Sequence, residues 1–325
     1  SSSTPVNYDI CPSGWRLPTS AELTTLKNSY STGTALTGSP FLGVYAGFYF
    51  DSQFLYGGSS GYYWSSTAYN SNYAYYLGFN SSSANVDSNY KGNGLSVRCV
   101  KEPTMQEATQ AFLAAAMPND GDTTNLVDSR NGEEYSIAKI NNQYWMTKNL
   151  SLGKSTTTKL TQDDSNVSSS GYTLPASSTS GFSSDTAANV YNSGSTTCSS
   201  SSACYSYYTW KAATAGSTKS TDGQNADYDI CPKGWRLPTQ AELTTLKDSY
   251  TTGNTLTASP FLGVYAGLYS SSQLKSGSGG SSGYYWSSTA YSSGYARSLF
   301  FDSSSATVGV YTKKGGRAVR CIFKS

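Results

Sequence analysis

The chain has 325 residues, a net charge of +2, only 13% charged residues and no histidine. The missing histidine excludes histidine-based catalysis and removes the commonest metal ligand. The low charge gives no basic stripe of the kind that nucleic acid requires. No apolar run reaches the roughly 18 residues of a membrane-spanning helix, so we predict no membrane span. With no metal-ligand spacing either, we predict no cofactor and no metal site.

One long stretch of sequence occurs twice. It reads YDICPSGWRLPTSAELTTLKNSY at residues 8–30 and YDICPKGWRLPTQAELTTLKDSY at residues 228–250. The segments SPFLGVYAG, SSGYYWSSTAY and VRC then follow in the same order in both copies. A repeat of this size is too long for a solenoid unit, which indicates a duplicated domain.

The cysteines follow the duplication, because each copy has one cysteine near its start and one near its end. A third, local pair lies in the segment CSSSSAC. Six cysteines allow fifteen pairings, and six reduced thiols are the alternative. Cysteines kept at both ends of each copy favour disulfides and an oxidising, extracytoplasmic setting. The predicted disulfides are Cys11–Cys99, Cys231–Cys321 and Cys198–Cys204.

The first elements of each copy are a tight loop and a helix. Thr19 and Glu22 have the spacing of a capping box, and Thr239 and Glu242 repeat it. The pattern predicts a helix that ends near Tyr30, with Glu22 as a capping residue rather than a general acid. Arg16 and Arg236 are predicted to anchor the preceding loop, and Trp64 and Trp286 to be core or loop anchors rather than sugar-stacking platforms.

The last part of each copy alternates between apolar and polar residues. Leu77 and Phe79 are predicted to point inward, as are Leu299 and Phe301. Their neighbours in sequence are predicted to point outward. The outward set includes Tyr76, Asn80, Ser298, Phe300 and Asp302.

Between the copies the sequence changes character three times. Residues 104–118 predict a helix, and residues 104–122 a stiff connector between domains. Residues 123–150 contain Asn-Gly between two alternating runs, which predicts a hairpin followed by a strand with Trp145 and Met146 buried. Residues 151–226 are rich in serine and threonine. This composition is typical of a flexible linker or of a long surface loop. The aromatic residues of the segment favour folding back on the second copy.

The motifs CPxGWRLPTxxEL, GYYWSST and VRC resemble the Fibrobacter succinogenes major paralogous domain family, and the hairpin of residues 123–150 resembles the start of that family's unit. This resemblance implies a complete unit at residues 123–325. It also implies that residues 1–103 are the last part of a similar unit whose start is missing. The shared motifs resemble the C-type lectin-like fold in turn. The implied fold class is α+β: tandem lectin-like domains, each with a small antiparallel sheet, a packed helix and a closing disulfide.

Comparison of the two copies suggests a candidate contact surface. The scaffold positions match, whereas the differences cluster at positions predicted to point outward, and Tyr, Asn and Ser are the residues that binding loops favour. Ordinary drift on a solvated face is the alternative. The candidate surface comprises Asn70, Asn72, Tyr75, Tyr76, Asn80, Asn85, Asp87, Asn89, Tyr90, Ser292, Arg297, Ser298, Asp302 and Tyr311.

Two functions fit a secreted protein at the cell surface. The first is a structural subunit of a fibre or layer. Strands missing from the first copy would leave an open edge that a preceding part of the same polypeptide or a neighbouring molecule covers, and a neighbouring molecule would give head-to-tail contacts. The second is an adhesin that binds an unknown surface ligand through the variable Tyr/Asn/Ser-rich face. Catalysis is not expected, because the chain has no catalytic pair and no phosphate loop. Glycans on the serine tracts, or on Asn80, Asn149 and Asn166 in N-x-S sequons, are a further expectation.

Overall fold

The computed structural model describes residues 9–12, 14–192, 206–250, 252–271, 273–275 and 281–324. The chain divides into two compact units, Ser1–Glu102 and Pro103–Ser325. Both contain the repeated core, and only the second contains the sequence between the copies. The predicted Cys198–Cys204 pair lies outside the described residues.

The repeated core of the first unit is a helix packed on a three-stranded antiparallel sheet. The helix Ser20–Asn28 lies against the sheet strands, which are consecutive in the chain and joined by short turns. The sheet strands are Ser60–Ala68, Tyr73–Asn80 and Ala84–Tyr90. The smaller elements are the strand pairs Trp15–Arg16 with Val100–Lys101 and Phe48–Phe50 with Gln53–Leu55, and the 3-10 turn Thr34–Thr37.

The helix begins as the sequence predicts. The Glu22 backbone N–H donates to Thr19 Oγ1 (3.2 Å), and the Thr19 N–H donates to Glu22 Oε2 (2.7 Å), which completes a capping box. Arg16 donates to both carboxylate oxygens of Glu22 and to the Leu17 carbonyl. Glu22 is therefore a structural residue that joins the loop to the helix.

The alternation in the last part of the copy also predicts its core correctly. Leu77 and Phe79 are buried, together with Leu23 and Leu36 from the helical side and Tyr63 from the first sheet strand. Tyr63 and Phe79 stack with ring centroids 5.9 Å apart. This inner core lies between the helix and the sheet.

The second unit repeats these elements in the same order. The sequence between the copies adds three strands, and the strand order of the resulting five-stranded sheet places the third of them beside the last strand of the chain. The repeated elements are Trp235–Arg236, Gln240–Asp248, Asn254–Thr257, Leu268–Ser270, Gln273–Lys275, Ser282–Ala290, Tyr295–Asp302, Ala306–Thr312 and Ile322–Phe323. The added sheet strands are Thr123–Asp128, Glu133–Ile140 and Gln143–Met146.

The predicted hairpin at residues 123–150 is confirmed. Its two strands pair through a turn that contains Gly132 at φ 72°, a conformation that favours glycine. Trp145 and Met146 are buried on the following strand, as predicted. The remaining elements between the copies are the strands Thr158–Leu160, Tyr172–Leu174, Val190–Asn192 and Ser206–Tyr208 and the short helices Gln110–Ala116 and Trp210–Ala213.

The predicted connector at residues 104–122 is wrong. The helix at Gln110–Ala116 belongs to the second unit, and Met105, Leu113 and Met117 lie fully buried in the core of that unit. The apolar stripe that predicts the helix is covered by this core rather than exposed on a spacer. The described part of residues 151–226 likewise contributes buried residues and folds back on the second copy.

The disulfides Cys11–Cys99 and Cys231–Cys321 are both present, as the duplication predicts. Each joins the start of a repeated core to its last segment. The architecture is α+β, with small antiparallel sheets and few helices. None of the helices in the described residues is long and apolar enough to cross a membrane.

Candidate interaction site: the uncovered face of the first unit

In the second unit, one side of the repeated core is covered by the described part of residues 103–226, which we call the cover segment. Ile230, Trp235, Leu237 and Trp286 of the repeated core are fully buried there. They share one large hydrophobic cluster with the cover segment. The contributions of the cover segment include Leu126, Tyr135, Met146, Leu150, Tyr208 and Trp210.

Three indole N–H groups hold the two parts together. Trp235 Nε1 donates to the Met105 carbonyl (2.9 Å), and Trp286 Nε1 donates to the Tyr208 carbonyl (2.7 Å). In the opposite direction, Trp210 Nε1 of the cover segment donates to the Ser287 carbonyl (2.9 Å). Buried indoles need such acceptors, so these contacts fix the position of the cover segment as well as its burial.

The backbone contributes a second set of contacts. The strand Gln143–Met146 pairs with the closing strand of the repeated core through Trp145 and Ile322. The Met146 and Leu150 N–H groups donate to the Cys321 and Val319 carbonyls, both at 2.9 Å. Tyr208 and Arg317 form an antiparallel bridge further along. The cover segment therefore extends the sheet as well as burying its side chains.

In the first unit the equivalent positions are exposed or only partly buried. Trp15 is 48% exposed, whereas the equivalent Trp235 is 0% exposed. Ile10 is 81% exposed against 0% for Ile230, and Tyr49 is 53% exposed against 2% for Tyr269. Among the described residues, the closing strand Val100–Lys101 lies in a sheet of only two strands. We call the surface formed by Ile10, Trp15, Tyr49, Trp64 and the strand Val100–Lys101 the open face.

A small cavity adjoins the open face at Trp64. Its volume is about 180 Å³. Every position that lines it has the same residue at the equivalent position of the second unit. The lining residues are Leu17, Trp64, Ser65, Ser66, Ala68, Ala74 and Lys91.

In the second unit, burial under the cover segment changes the pKa of a carboxylate. The Asp229 carboxylate accepts from the Cys231 and Leu237 N–H groups and from Asn166 Nδ2 of the cover segment. Burial raises the pKa of Asp229 to about 6. In the first unit, Asp9 accepts from the equivalent N–H groups of Cys11 and Leu17 but is only partly buried.

A second charged group of the covered unit lies among aromatic rings. The Arg317 guanidinium is 4.2 Å from the ring centroid of Trp286 and 4.8 Å from that of Tyr311. Burial lowers the pKa of Arg317 to about 10, so the side chain stays charged at neutral pH. The equivalent position of the first unit is Leu95. The charged stack is therefore specific to the second unit.

The residues of the predicted contact surface do not share one face. Tyr75 and Tyr76 are consecutive on a strand and point to opposite sides of the sheet. Tyr75 contacts Tyr69, and Tyr90 contacts Tyr73, whereas Tyr76 lies beside Tyr62 on the other side. The exposed members of the set are Asn70, Asn72, Asn85, Asp87 and Tyr90, and the partly buried ones are Tyr75, Tyr76, Asn80, Asn89, Ser292, Arg297, Asp302 and Tyr311.

The predicted outward position of Ser298 is wrong. Ser298 is fully buried, and its Oγ donates to the Tyr285 carbonyl (2.8 Å). Ser298 lies opposite Trp286 in the sheet, on the face that carries the Arg317 stack. The alternation correctly separates the two faces, but in the second unit both faces are covered.

Several other members of the predicted surface have structural partners. Asn80 Oδ1 and Asp302 Oδ1 each accept from backbone N–H groups two and three residues later, which closes the following turn. Arg297 pairs with Asp222 at 3.0 Å. The sequon asparagine Asn149 is 7% exposed and accepts from Arg320 Nε, so it is not accessible to a glycan in the folded protein.

The open edge is expected from the sequence, but its residues are not among the predicted contact residues. The open-face residues are identified by comparing the copies, because their equivalents in the second copy are the residues that the cover segment buries. The first copy keeps Ile10, Trp15 and Trp64, although the described part of the first unit has no cover. Predicted contact residues are positions where the copies differ, and the open face consists largely of positions where they agree.

Two protein-family models match different parts of the chain. Residues 138–257 match the Fibrobacter succinogenes major domain, which confirms the predicted family resemblance for this part of the second unit. Residues 10–101 match the Lcl C-terminal domain. Curated proteins and solved structures give no significant match. The first match includes part of the cover segment, whereas the second match corresponds to a repeated core alone.

Proposed function

We propose that the chain is a surface-associated assembly protein, a subunit of an extracellular fibre or layer. In this proposal the open face of the first unit is covered by a second cover segment, which a neighbouring polypeptide contributes. The observation that carries it is the exposure of Trp15 and Ile10 at positions where Trp235 and Ile230 are fully buried.

The exposed side chains provide the driving force for this contact. Burying one large apolar side chain contributes roughly 1.5–3 kcal/mol, and the open face presents Ile10, Trp15 and Tyr49 together. Large apolar side chains that are exposed at positions buried in the other copy indicate an interaction site. Strand addition at Val100, the equivalent of Ile322, would contribute main-chain hydrogen bonds as well, as the third strand does in the second unit.

The stoichiometry specifies the partner. The 325 residues contain two repeated cores and one cover segment, and that cover segment is held by the second unit. Transferring it to the first unit would only move the open face to the second. We therefore propose that a neighbouring polypeptide brings the second cover segment. Where that neighbour also carries an open face, such contacts join unlike surfaces and propagate head to tail.

Electron microscopy of the native surface material, with the intact mass of the polypeptide, tests this function. We expect regular filaments or a layer, and we expect Tyr49→Lys to disperse them by placing a charge on the open face. The matched control is Tyr295→Lys, which changes a tyrosine of similar exposure outside the open face. Dispersed monomers in the native material, or assemblies that survive Tyr49→Lys, would refute the proposal.

A second candidate function is ligand binding by the variable face. It is supported by the exposed polar groups Asn70, Asn72, Asn85 and Asp87 in the first unit. The lectin-like resemblance points the same way. The division of the predicted residues between two faces of the sheet weakens it, because one ligand would contact only part of the set.

Two further parts of the proposal concern location and chemistry. The two disulfides favour an oxidising, extracellular compartment, which suits a fibre or layer outside the cell. We also propose that the protein acts by contact alone and not by catalysis. Glu22 and Glu242 are occupied by the arginine and backbone groups of the capping boxes, which is consistent with a structural role.

A further inference from the structure

We infer that the cavity beside the open face is a socket for one tryptophan side chain, contributed by the cover segment of the partner. The inference deepens the proposed function and rests on it for the source of the partner. It names the anchor residue of the contact and the groups that bind it. The argument comes from the second unit, where the equivalent space is occupied.

Trp210 occupies this space in the second unit. Trp210 is fully buried and belongs to the same cluster as Leu237, Ala290 and Ala296. Its indole Nε1 donates to the Ser287 carbonyl (2.9 Å), and its backbone N–H donates to the Lys313 carbonyl (3.0 Å). The Lys313 ammonium lies 4.2 Å from the centroid of the indole ring.

The cavity of the first unit has the same walls. Leu17, Ala68 and Ala74 correspond to the three cluster residues Leu237, Ala290 and Ala296, and Ser65 and Lys91 correspond to Ser287 and Lys313. Ala68 lies directly opposite Ala74 in the sheet, just as Ala290 lies opposite Ala296. Two small residues facing each other leave the space that an indole ring fills in the second unit.

The floor of the cavity has an unused hydrogen-bond donor. Trp64 is the equivalent of Trp286, whose indole N–H donates to the Tyr208 carbonyl of the cover segment. Within the part of the chain that the structure describes, the Trp64 indole N–H has no acceptor. A partner segment in the Trp210 position would provide one, two residues before its own tryptophan.

These groups define the ligand as a short extended segment of the type Tyr-Thr-Trp. Its tyrosine carbonyl would accept from Trp64 Nε1, and its indole would fill the cavity and donate to the Ser65 carbonyl. The Lys91 ammonium, which now donates to the Asn70 and Ser71 carbonyls (2.9 and 3.2 Å), would turn over the indole ring. Leu95 replaces Arg317, so the first unit would hold its tryptophan without the charged stack.

A fluorine-labelled peptide tests the socket on the full chain. The probe is the peptide SYYTWKAA, the sequence of residues 206–213, with 5-fluorotryptophan in place of tryptophan. We expect its ¹⁹F resonance to shift and broaden saturably as the protein is added. Unlabelled SYYTWKAA should displace it, and SYYTAKAA should not, because the second peptide lacks the indole.

Two substitutions that fill the cavity place the binding site in the first unit. Ala74→Leu should weaken peptide binding by about tenfold or more, since a Leu side chain would occupy space that the ring needs. Ala68→Val is a milder second variant, and circular dichroism verifies that each is folded. Ala21→Leu, on the exposed side of the helix, is the matched control and should leave binding unchanged.

The outcomes separate the socket from the assembly. A ¹⁹F resonance of the peptide that stays unchanged at millimolar concentration would overturn the socket. Equal binding of the peptide to Ala74→Leu, or displacement of the labelled peptide by SYYTAKAA, would overturn it too. Filaments without peptide binding would overturn the socket and leave the proposed function standing. Peptide binding by a protein that is a dispersed monomer in native material would support the socket and refute the fibre.

Discussion

The two units contain the same repeated core in different surroundings. In the first unit the inner core of Leu23, Tyr63 and Phe79 is buried without a cover segment, and its equivalents Leu243, Tyr285 and Phe301 are buried with one. The opposite side changes most between the units, and Ala138, Ile140 and Trp145 of the cover segment also join the inner core of the second unit. The repeated core therefore has two apolar layers. The helix and the sheet bury one layer between themselves, and burial of the other layer depends on a cover segment.

The comparison also separates a residue's identity from its role. Trp15 and Trp235 are the same residue in the same motif, yet one is half-exposed and the other is a buried hydrogen-bonded anchor. What differs is the presence of Met105 and its neighbours. Four measurements sharpen this comparison or break it, and they are given in order of decreasing expected effect.

The largest difference is expected for the tryptophan of the GWRLP motif. Trp235→Ala should lower the free energy of unfolding of the second unit by about 3–5 kcal/mol, because it empties a fully buried site. Trp15→Ala should lower that of the first unit by about 1 kcal/mol, since half of the side chain is already exposed. Hydrogen exchange read by mass spectrometry reports each unit separately. Equal costs would show that the cover segment is not what distinguishes the units.

A pH dependence of the second unit is expected from Asp229. Burial raises its pKa to about 6 in the folded protein, against roughly 3.9 in an unfolded chain, so the folded state binds the proton more tightly. This stabilisation is complete below about pH 4 and is lost as the pH rises through about 6. The loss amounts to about 3 kcal/mol.

Urea denaturation between pH 4 and pH 7 measures this effect on the second unit. Asp229→Asn should remove this loss of stability with rising pH, since the side chain no longer titrates. The matched substitution is Asp9→Asn in the first unit, which should leave the slope of the second unit as it is. A second unit that gains stability as the pH rises over this range would contradict the assignment to Asp229.

The two disulfides should differ in their rate of reduction. Cys231 and Cys321 are fully buried, whereas Cys11 and Cys99 are only partly buried. Because thiol attack requires access, dithiothreitol under native conditions should reduce the Cys11–Cys99 bond about tenfold faster or more. Alkylation followed by mass spectrometry measures the reduced fraction of each disulfide. The SYYTWKAA peptide should slow the reduction of the Cys11–Cys99 bond. Similar rates for the two bonds would argue against a difference in cover.

The smallest difference is expected at the helix caps. The Glu22 N–H lies 3.2 Å from Thr19 Oγ1, and the Glu242 N–H lies 3.3 Å from Thr239 Oγ1. Thr19→Ala and Thr239→Ala should therefore each cost about 1 kcal/mol in their own unit. Hydrogen exchange of the helix peptides is the readout. A large inequality would mean that the units differ on the helical side too.

The sequence predicts those features that short-range signals determine. The capping boxes, the Asn-Gly hairpin and the inward positions of Leu77 and Phe79 are all local patterns, and all are confirmed. The duplication itself predicts the pairings of the two core disulfides. Each of these depends on residues that are close in sequence or on the repeat.

Features that depend on distant segments could not be predicted in this way. Ser298 alternates like an outward residue, and only the covering of both sheet faces buries it. The helix Gln110–Ala116 has the stripe of any amphipathic helix, which does not say whether a connector or a core will receive it. The serine-rich part of the cover segment has no periodicity, yet Tyr208 and Trp210 are its anchors. No short-range pattern identifies the carbonyl that a given indole reaches.

The pairing of Trp145 with Ile322 has a consequence for the order in which the second unit forms during synthesis. The cover segment leaves the ribosome early, but the strand that receives it is translated almost at the end of the unit. Until then the strand Gln143–Met146 is paired on one edge only, with Glu133–Ile140, and contacts over such long sequence separations form slowly. The nascent chain therefore passes through a stage in which the cover is available and its own core is not, a stage in which chaperones would protect it from aggregation.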